Sequence, residues 1–397
     1  MTSTILDEES QIRSIDTDDM LGSTMEFASH WERVFDKARS EVKDGKLPNF
    51  RQIDNVILCG MGGSAIAGDL LRSYLRYRSV IPFEVVRNYR LPGYASPHTL
   101  VIISSYSGET EETISAYKEA LARNCRIYTI SNGSERDVVK RMALENGHGH
   151  FDVPQGYAPR AALAFSFVPL LVFFDRWELA PPQDKAIEET IRVLDQCIAD
   201  YGRDSPTDAN DAKKIAQQLQ GKLPIIYAGV DHIAPVAARW QTQINENSKM
   251  LAHVNILPEM NHNESLGWPV RKDSIGEKFL VKKPRLYPSG EPVKPQEDLV
   301  DLVSVLYLLD RPPDEHKRTR YRFKVMEPVI QTCGVQIQKI ESRGEGLLAR
   351  MFSLISLGDF VSVYLAVLNE IDPTSVATIN YVKEKMAAFK DDCTFPR

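Results

Sequence analysis

Five cysteines in 397 residues, Cys59, Cys125, Cys197, Cys333 and Cys393, are too few and too scattered to frame a fold. None belongs to a CxxC pair and their number is odd, so neither a disulfide scaffold nor a cysteine-rich zinc site is expected. They read as reduced thiols of a cytoplasmic protein. Positive charge is also short: 48 Lys and Arg stand against 54 Asp and Glu, for a net charge of -6. That balance argues against nucleic acid as the main ligand. No apolar run is read as approaching the roughly 20 residues of a membrane helix. The densest, residues 161–174, holds Ser166 and Pro169. The opening residues, MTSTILDEESQIRS, are polar and acidic and do not read as a secretory signal. Two histidines stand close together, His148 and His150, but no second pair or nearby cysteine completes a metal site.

What is present is an ordinary globular composition, 43% hydrophobic and 26% charged, in a length that suits two or three compact domains. Residues 1–19 are polar and weakly patterned, the loose beginning of an N-terminal arm set at 1–24. An amphipathic helix follows over 25–46. Then short buried β-runs alternate with helices: strands at 55–59, 83–87, 99–104 and 126–130, helices at 64–77, 110–123 and 135–145. This alternation predicts a parallel sheet covered on both faces. Residues 159–220 are helical throughout and join this unit to a second one, with strands at 224–228, 255–257, 301–309 and 335–340 and a helix opening at Pro235. Helices at 346–369 and 373–389 close the chain. The segments NVILCGMGGSAIAGDLLRSYL and LPIIYAGVDHIAPVAARWQTQ run alike, strand, glycine, turn, helix, and suggest two copies of one α/β unit. The fold class is therefore α/β, with two doubly wound, Rossmann-like domains at 25–158 and 221–372 and a last helix in 373–397. Residues 271–299 carry several lysines and prolines and read as an exposed loop.

Two loops of the first unit carry anion-binding chemistry. Gly60 to Ala65 (GMGGSA) follows a strand and opens a helix, where glycines let a ligand approach the backbone and free amides face an anion. It fits the dinucleotide fingerprint, but the next strand ends in Arg87 and Asn88 rather than an acidic residue, which leaves only an NADP reading open. The second loop, Ser104 to Thr110 (SSYSGET), sets four serine and threonine hydroxyls at a helix start. A helix cap needs only one of them. Together they form a neutral cradle for one phosphate monoester, with no P-loop lysine and so no call for Mg or a nucleoside triphosphate. In the second unit, Glu246 lies near the end of the helix opening at Pro235, and His262 lies just after the next strand. A carboxylate and an imidazole in successive loops beside a sheet suit a general base and a general acid; as isolated residues they also fit a surface charge and a turn.

With these motifs in place, the chain resembles the bifunctional phosphoglucose/phosphomannose isomerases of the SIS (sugar isomerase) superfamily. The supporting segments are CGMGGSAIAGDLL, SSYSGETEET, GYAPRAALAFS, QINENSK, NHNES, LLARMFSLISLGDFVSVYLAV and IDPTSVATINYVKEKM, in order along the chain. The resemblance implies two SIS-type domains, no cofactor, and a homodimer with shared active sites. It implies that Gly63, Ser64, Ser105, Ser107 and Thr110 bind the substrate phosphate. Arg160 would stabilise an enediolate, and Glu246 would move the proton between C1 and C2. His262, from the partner subunit, would assist ring opening. Lys383 would act on the ring oxygen, with Lys385 on the same helix. Thr374 or Ser375 would leave room for both C2 epimers. Three other readings stand beside it: a non-catalytic sugar-phosphate-binding module, a nucleotide-dependent oxidoreductase, and an isomerase of another sugar phosphate.

Overall fold

The computed structural model describes residues 5–50, 52–268 and 300–389. The lysine- and proline-bearing stretch 271–299 lies outside the described residues.

The chain opens with helices α1 (Glu9–Ile15), α2 (Met20–Met25) and α3 (Phe27–Lys43). The loose beginning expected over residues 1–19 is corrected here for the described part. Leu6 and Ile12 are buried, Asp16 accepts hydrogen bonds from the Met20 and Leu21 amides at 2.8 Å, and Asp7 accepts from Thr207 and Lys213. Two apolar anchors in an otherwise polar segment suffice to dock it, and composition averages hide them.

The first sheet follows: β1 (Asn55–Cys59), α4 (Gly62–Leu75), β2 (Phe83–Val86), β3 (Thr99–Ser104), α5 (Glu111–Ala122), β4 (Arg126–Ser131), α6 (Val138–Glu145) and β5 (Gly149–Asp152). Its strand order is β2-β1-β3-β4-β5 and every pair is parallel. All six residues of β3 are buried, because helices cover both faces and leave no reason for polar alternation. Helices α7 (Leu163–Arg176), α8 (Asp184–Tyr201) and α9 (Asp211–Leu219) then lead to the second sheet. This comprises β6 (Leu223–Gly229), α10 (Ala234–Ser248), β7 (His253–Leu257), β8 (Val303–Leu309), α11 (Lys317–Gln331) and β9 (Ile337–Glu341). Its order, β7-β6-β8-β9, is again all parallel and repeats the first four positions of the first sheet. In each sheet the chain leaves the inner strand to one side and returns on the other, which opens a crevice at the carboxyl ends of that strand and the adjacent strand to which the chain returns, β1 and β3 or β6 and β8.

The two sheets share one core. Its centre is α12 (Leu347–Leu368), in which every residue from Leu347 to Val367 is buried. It packs on α8, α9 and α10, and Trp31 meets Phe352 edge to face at 4.5 Å. A Cβ on Gly358 would overlap the Trp240 indole, so glycine here lets α10 and α12 approach closely. By length and composition α12 is apolar enough to cross a membrane, against the expectation that no stretch would be, but here it is buried as a core helix. Its two charges are both paired inside the protein: Arg350 with Asp310 at 2.7 Å and Asp359 with Arg239 at 2.7 Å. The last helix, α13 (Ala377–Ala388), differs. The side chains described along it are exposed, including Ile379, Tyr381, Val382 and Met386.

Candidate active site

The hydroxyl loop and the glycine loop meet at the crevice between β1 and β3. Ser64 in the first turn of α4 accepts a hydrogen bond from the Tyr106 amide at 3.3 Å. Ser105 and Thr110 hydroxyls lie 2.9 Å apart, and Ser105 also accepts from the Gly108 amide at 3.1 Å. Ser107 accepts from the Glu109 amide at 3.3 Å. Within the Ser105–Thr110 pair one hydroxyl donates to the other, which leaves the acceptor's own proton for an anion. The helix starts of α4 and α5 add amide dipole to the same place.

Gly63 connects this cradle to Arg160. A Cβ on Gly63 would stand 2.7 Å from the Pro159 carbonyl oxygen, in the short 3-10 turn Pro159–Ala161. Arg160 in that turn is buried. Its Nε donates to Asn247 Oδ1 at 2.5 Å, and its Nη2 donates to the carbonyls of Pro373 at 2.5 Å and Thr374 at 3.0 Å. Its Nη1 stands 3.8 Å from Glu246 Oε2. Burial pulls the guanidinium's pKa below its ordinary value, while the carboxylates of Glu246 and Asp372 pull the other way; an arginine so placed still carries its charge. Glu246 sits in the last turn of α10 and is half-buried. Three elements far apart in sequence thus converge on one guanidinium: the 159–161 turn, the end of α10, and the corner before α13.

The structure brings together Arg160, Glu246 and Thr374, with the hydroxyl loop next to them through Gly63. The Thr374 hydroxyl is buried and has no hydrogen-bond partner among the described residues. Ser375 is exposed, and its amide donates to Asp372. His262 and Lys383 are not brought to this cluster within one chain. His262 is exposed at the end of the 3-10 turn Glu259–His262. Lys383 is exposed on α13, and among the described residues no hydrogen bond or ion pair joins it to Arg160 or Glu246. His148 and His150 lie elsewhere, bonded to Tyr117, Thr129 and Asp152.

The crevice between β6 and β8 is the topological counterpart of the cradle, and its chemistry is opposite. It is lined by Asp231, His232, Asp310, Asp314 and Glu315. Glu315 is buried, neither of its oxygens finds a hydrogen-bond partner among the described residues, and its nearest cation is Arg320 Nη1 at 3.7 Å. Burial pushes its carboxyl pKa up to about 8. The Tyr77 hydroxyl, which donates to the Asp231 carboxylate at 3.0 Å, and the Ser73 hydroxyl, which donates to the Asp231 carbonyl at 3.0 Å, reach this crevice from the first domain, so it serves as a joint between domains.

Several residues that shape the site carry no assignment in the sequence reading. Asn247 holds Arg160 and in turn donates to Ser362 at 2.8 Å. Arg239 donates to the Arg160 carbonyl at 2.9 Å while paired with Asp359. Lys249 has a left-handed backbone, and its ammonium reaches the Glu246 carbonyl at 2.6 Å and the Pro373 carbonyl at 3.1 Å. A signal was available: Asp359 is an acidic residue amid an apolar run, where a buried charge requires a partner.

Comparisons with known proteins match both sheet-bearing parts of the chain. Residues 208–386 match the family described as the bacterial phospho-glucose isomerase C-terminal SIS domain, and residues 49–148 match the SIS domain. A bifunctional phosphoglucose/phosphomannose isomerase from Caldicellulosiruptor bescii is 40% identical over 85% of this chain and 91% of its own length. One from Aquifex aeolicus is 33% identical over 83% and 90%. A hypothetical protein from Thermus thermophilus has a solved structure that superposes with a TM-score of 0.69 at 11% identity, covering 96% of this chain and 94% of the other. That last likeness concerns the fold alone.

Proposed function

The chain belongs to the family of bifunctional phosphoglucose/phosphomannose isomerases, and from that premise we propose that it is an aldose–ketose isomerase converting glucose 6-phosphate, mannose 6-phosphate or both to fructose 6-phosphate. The observation that carries this reading is the position of Arg160, whose Nη1 faces Glu246 at 3.8 Å while its other donors are spent on Asn247 and the Pro373–Thr374 corner. A guanidinium fixed in this way beside a carboxylate is preorganised for an oxyanion and costs no reorganisation during the reaction.

The phosphate is held by Ser64, Ser105, Ser107 and Thr110 with the backbone at Gly63. Glu246 takes the proton from C2, and the electron pair moves to the carbonyl oxygen to give a cis-enediolate. Arg160 stabilises that charge, the O2 proton passes to O1, and Glu246 returns its proton to C1, which leaves the carbonyl at C2. Either epimer at C2 gives the same enediolate, with Thr374 or Ser375 leaving space for both. Binding energy from the phosphate orients the distant C1–C2 bond. Ring opening is assigned to Lys383 and to His262 of a second copy of this chain. A homodimer accounts for the exposed apolar side chains on α13 and for an imidazole with no hydrogen-bond partner among the described residues of its own chain. The substrate is a small anion, with no part for nucleic acid or a membrane. A cytoplasmic setting suits the buried thiols of Cys59, Cys125 and Cys197.

The test is a panel of hexose and pentose phosphates with the purified protein and direct detection of product. Fructose 6-phosphate formation from glucose or mannose 6-phosphate is expected. Sugar-phosphate binding without turnover of any member of the panel would leave a binding module instead.

A further inference from the structure

His262 lies on a loop tied down on both sides of it. On the near side, Arg322 Nη1 from α11 donates to Asn261 Oδ1 at 3.1 Å, and the Ser265 hydroxyl donates to the Asn261 carbonyl at 3.0 Å. On the far side stands Glu264. Its Oε1 accepts the Tyr227 hydroxyl at 2.5 Å, and its Oε2 accepts Asn255 Nδ2 at 2.5 Å and His253 Nε2 at 2.8 Å. The Tyr227 hydroxyl in turn accepts Trp268 Nε1 at 3.1 Å, which draws in the other end of the loop. Tyr227 and Asn255 face each other across the β6–β7 pair, so these donors are set by the sheet. Burial alone would raise the Glu264 carboxyl's pKa, yet the hydrogen bonds from Tyr227, Asn255 and His253 hold it below its ordinary value.

Between these anchors the His262 side chain is exposed and finds no hydrogen-bond partner among the described residues. Three donors from two strands are spent on one carboxylate in a loop, and the effect is a fixed backbone beneath one unengaged imidazole. A structural turn has no use for that combination. A histidine that must meet a substrate at a set place does.

We propose that Glu264 is a positioning residue for His262, clamping the loop to β6 and β7 so that the imidazole is presented in a fixed orientation to the substrate ring. The proposal rests on the reading of His262 as a ring-opening group given above. Displacing a reacting group by about 1 Å can cost on the order of 10²-fold in rate. The phosphate is bound elsewhere, so the loss falls on kcat rather than KM.

The experiment compares the full-length wild type with E264Q, H262A, H262A/E264Q and Y227F, recording kcat, KM and melting temperature. E264Q is expected to lower kcat by roughly 10-fold to 10²-fold with KM little changed. The double variant is expected to be no slower than H262A alone, since a clamp has no value once its imidazole is gone. Y227F keeps the carboxylate, removes one donor and should lower kcat in the same direction by less; it carries the test if E264Q does not fold. Wild-type kcat in folded E264Q overturns the proposal. So does a double variant in which the two losses multiply, because Glu264 then acts independently of His262. Full activity in H262A removes the reading beneath the proposal, whereas inactive H262A beside fully active E264Q overturns the Glu264 assignment alone.

Discussion

The Pro159 carbonyl oxygen lies 2.7 Å from the point where a Cβ on Gly63 would stand. That contact joins the anion cradle to the turn bearing Arg160. Any atom added at Gly63 must push the turn, and with it the guanidinium that faces Glu246.

Gly63→Ala should therefore act on chemistry as well as binding. The expected result is a fall in kcat of roughly 10-fold to 10²-fold, with a smaller change in melting temperature. Steady-state kinetics beside a thermal melt check it. Unchanged kcat in a folded variant would mean that the turn yields without moving Arg160.

Ser105→Ala with Thr110→Ala removes the hydroxyl pair of the cradle. KM for glucose 6-phosphate should rise at least tenfold, as expected for lost hydrogen bonds to a charged ligand, each about 1.5–3 kcal/mol. Stability should fall by only about 1 kcal/mol for the lost Gly108 amide bond. If KM does not move, the phosphate is held elsewhere.

Glu246→Gln keeps the shape of the side chain and removes the base. Turnover should drop on the order of 10²–10⁴-fold while substrate still protects the protein against heat. Exchange of C2 deuterium with solvent should vanish with it. Near-normal turnover would exclude this residue as the base.

Glu315 makes stability depend on pH. The folded protein keeps its proton up to about pH 8, whereas the unfolded chain releases it near the ordinary value of 4.5. Between these values the folded state binds more protons, so this residue makes stability fall as pH rises. Glu315→Gln removes that slope. Urea unfolding of the variant and the wild type should show the variant's relative stability climbing from about pH 5 to about pH 8. A constant difference across that range would contradict the protonated state.

A mixture of Glu246→Gln and His262→Ala chains tests the shared site. Each homodimer should be nearly inactive. In a heterodimer one site collects both defects and the other collects none. Random pairing makes about half the dimers mixed, so roughly a quarter of all sites should recover. If heterodimers form, as read by mass, and activity does not return, His262 serves its own chain.

The first sheet and its loops are legible in the sequence because they are local. The run TLVIIS has no polar alternation, and SSYSGET follows it directly, so strand and cradle announce each other within a dozen residues. The edge strand β5 (GHFD) and helix α11 have no comparable signal. The former is short and half-polar, and the latter is rich in lysine and arginine with Pro328 inside it. The surroundings of Arg160 are illegible for another reason. Its partners Asn247, Pro373 and Thr374 lie 87, 213 and 214 residues away, and only the fold makes them neighbours. The clamp at Glu264 is hidden because its value comes from strand register, which places Tyr227 opposite Asn255.

Helix α12 lies at the centre of the molecule, yet in the sequence it follows every strand of both sheets. A ribosome releases both sheets before it releases the piece that glues them. Until then the apolar faces of α8, α9 and α10, which α12 covers in the finished protein, remain open to whatever else is nearby. Synthesis at roughly 5–20 residues per second leaves that interval many seconds long. Cutting the chain before residue 347 would leave those faces of α8, α9 and α10 uncovered.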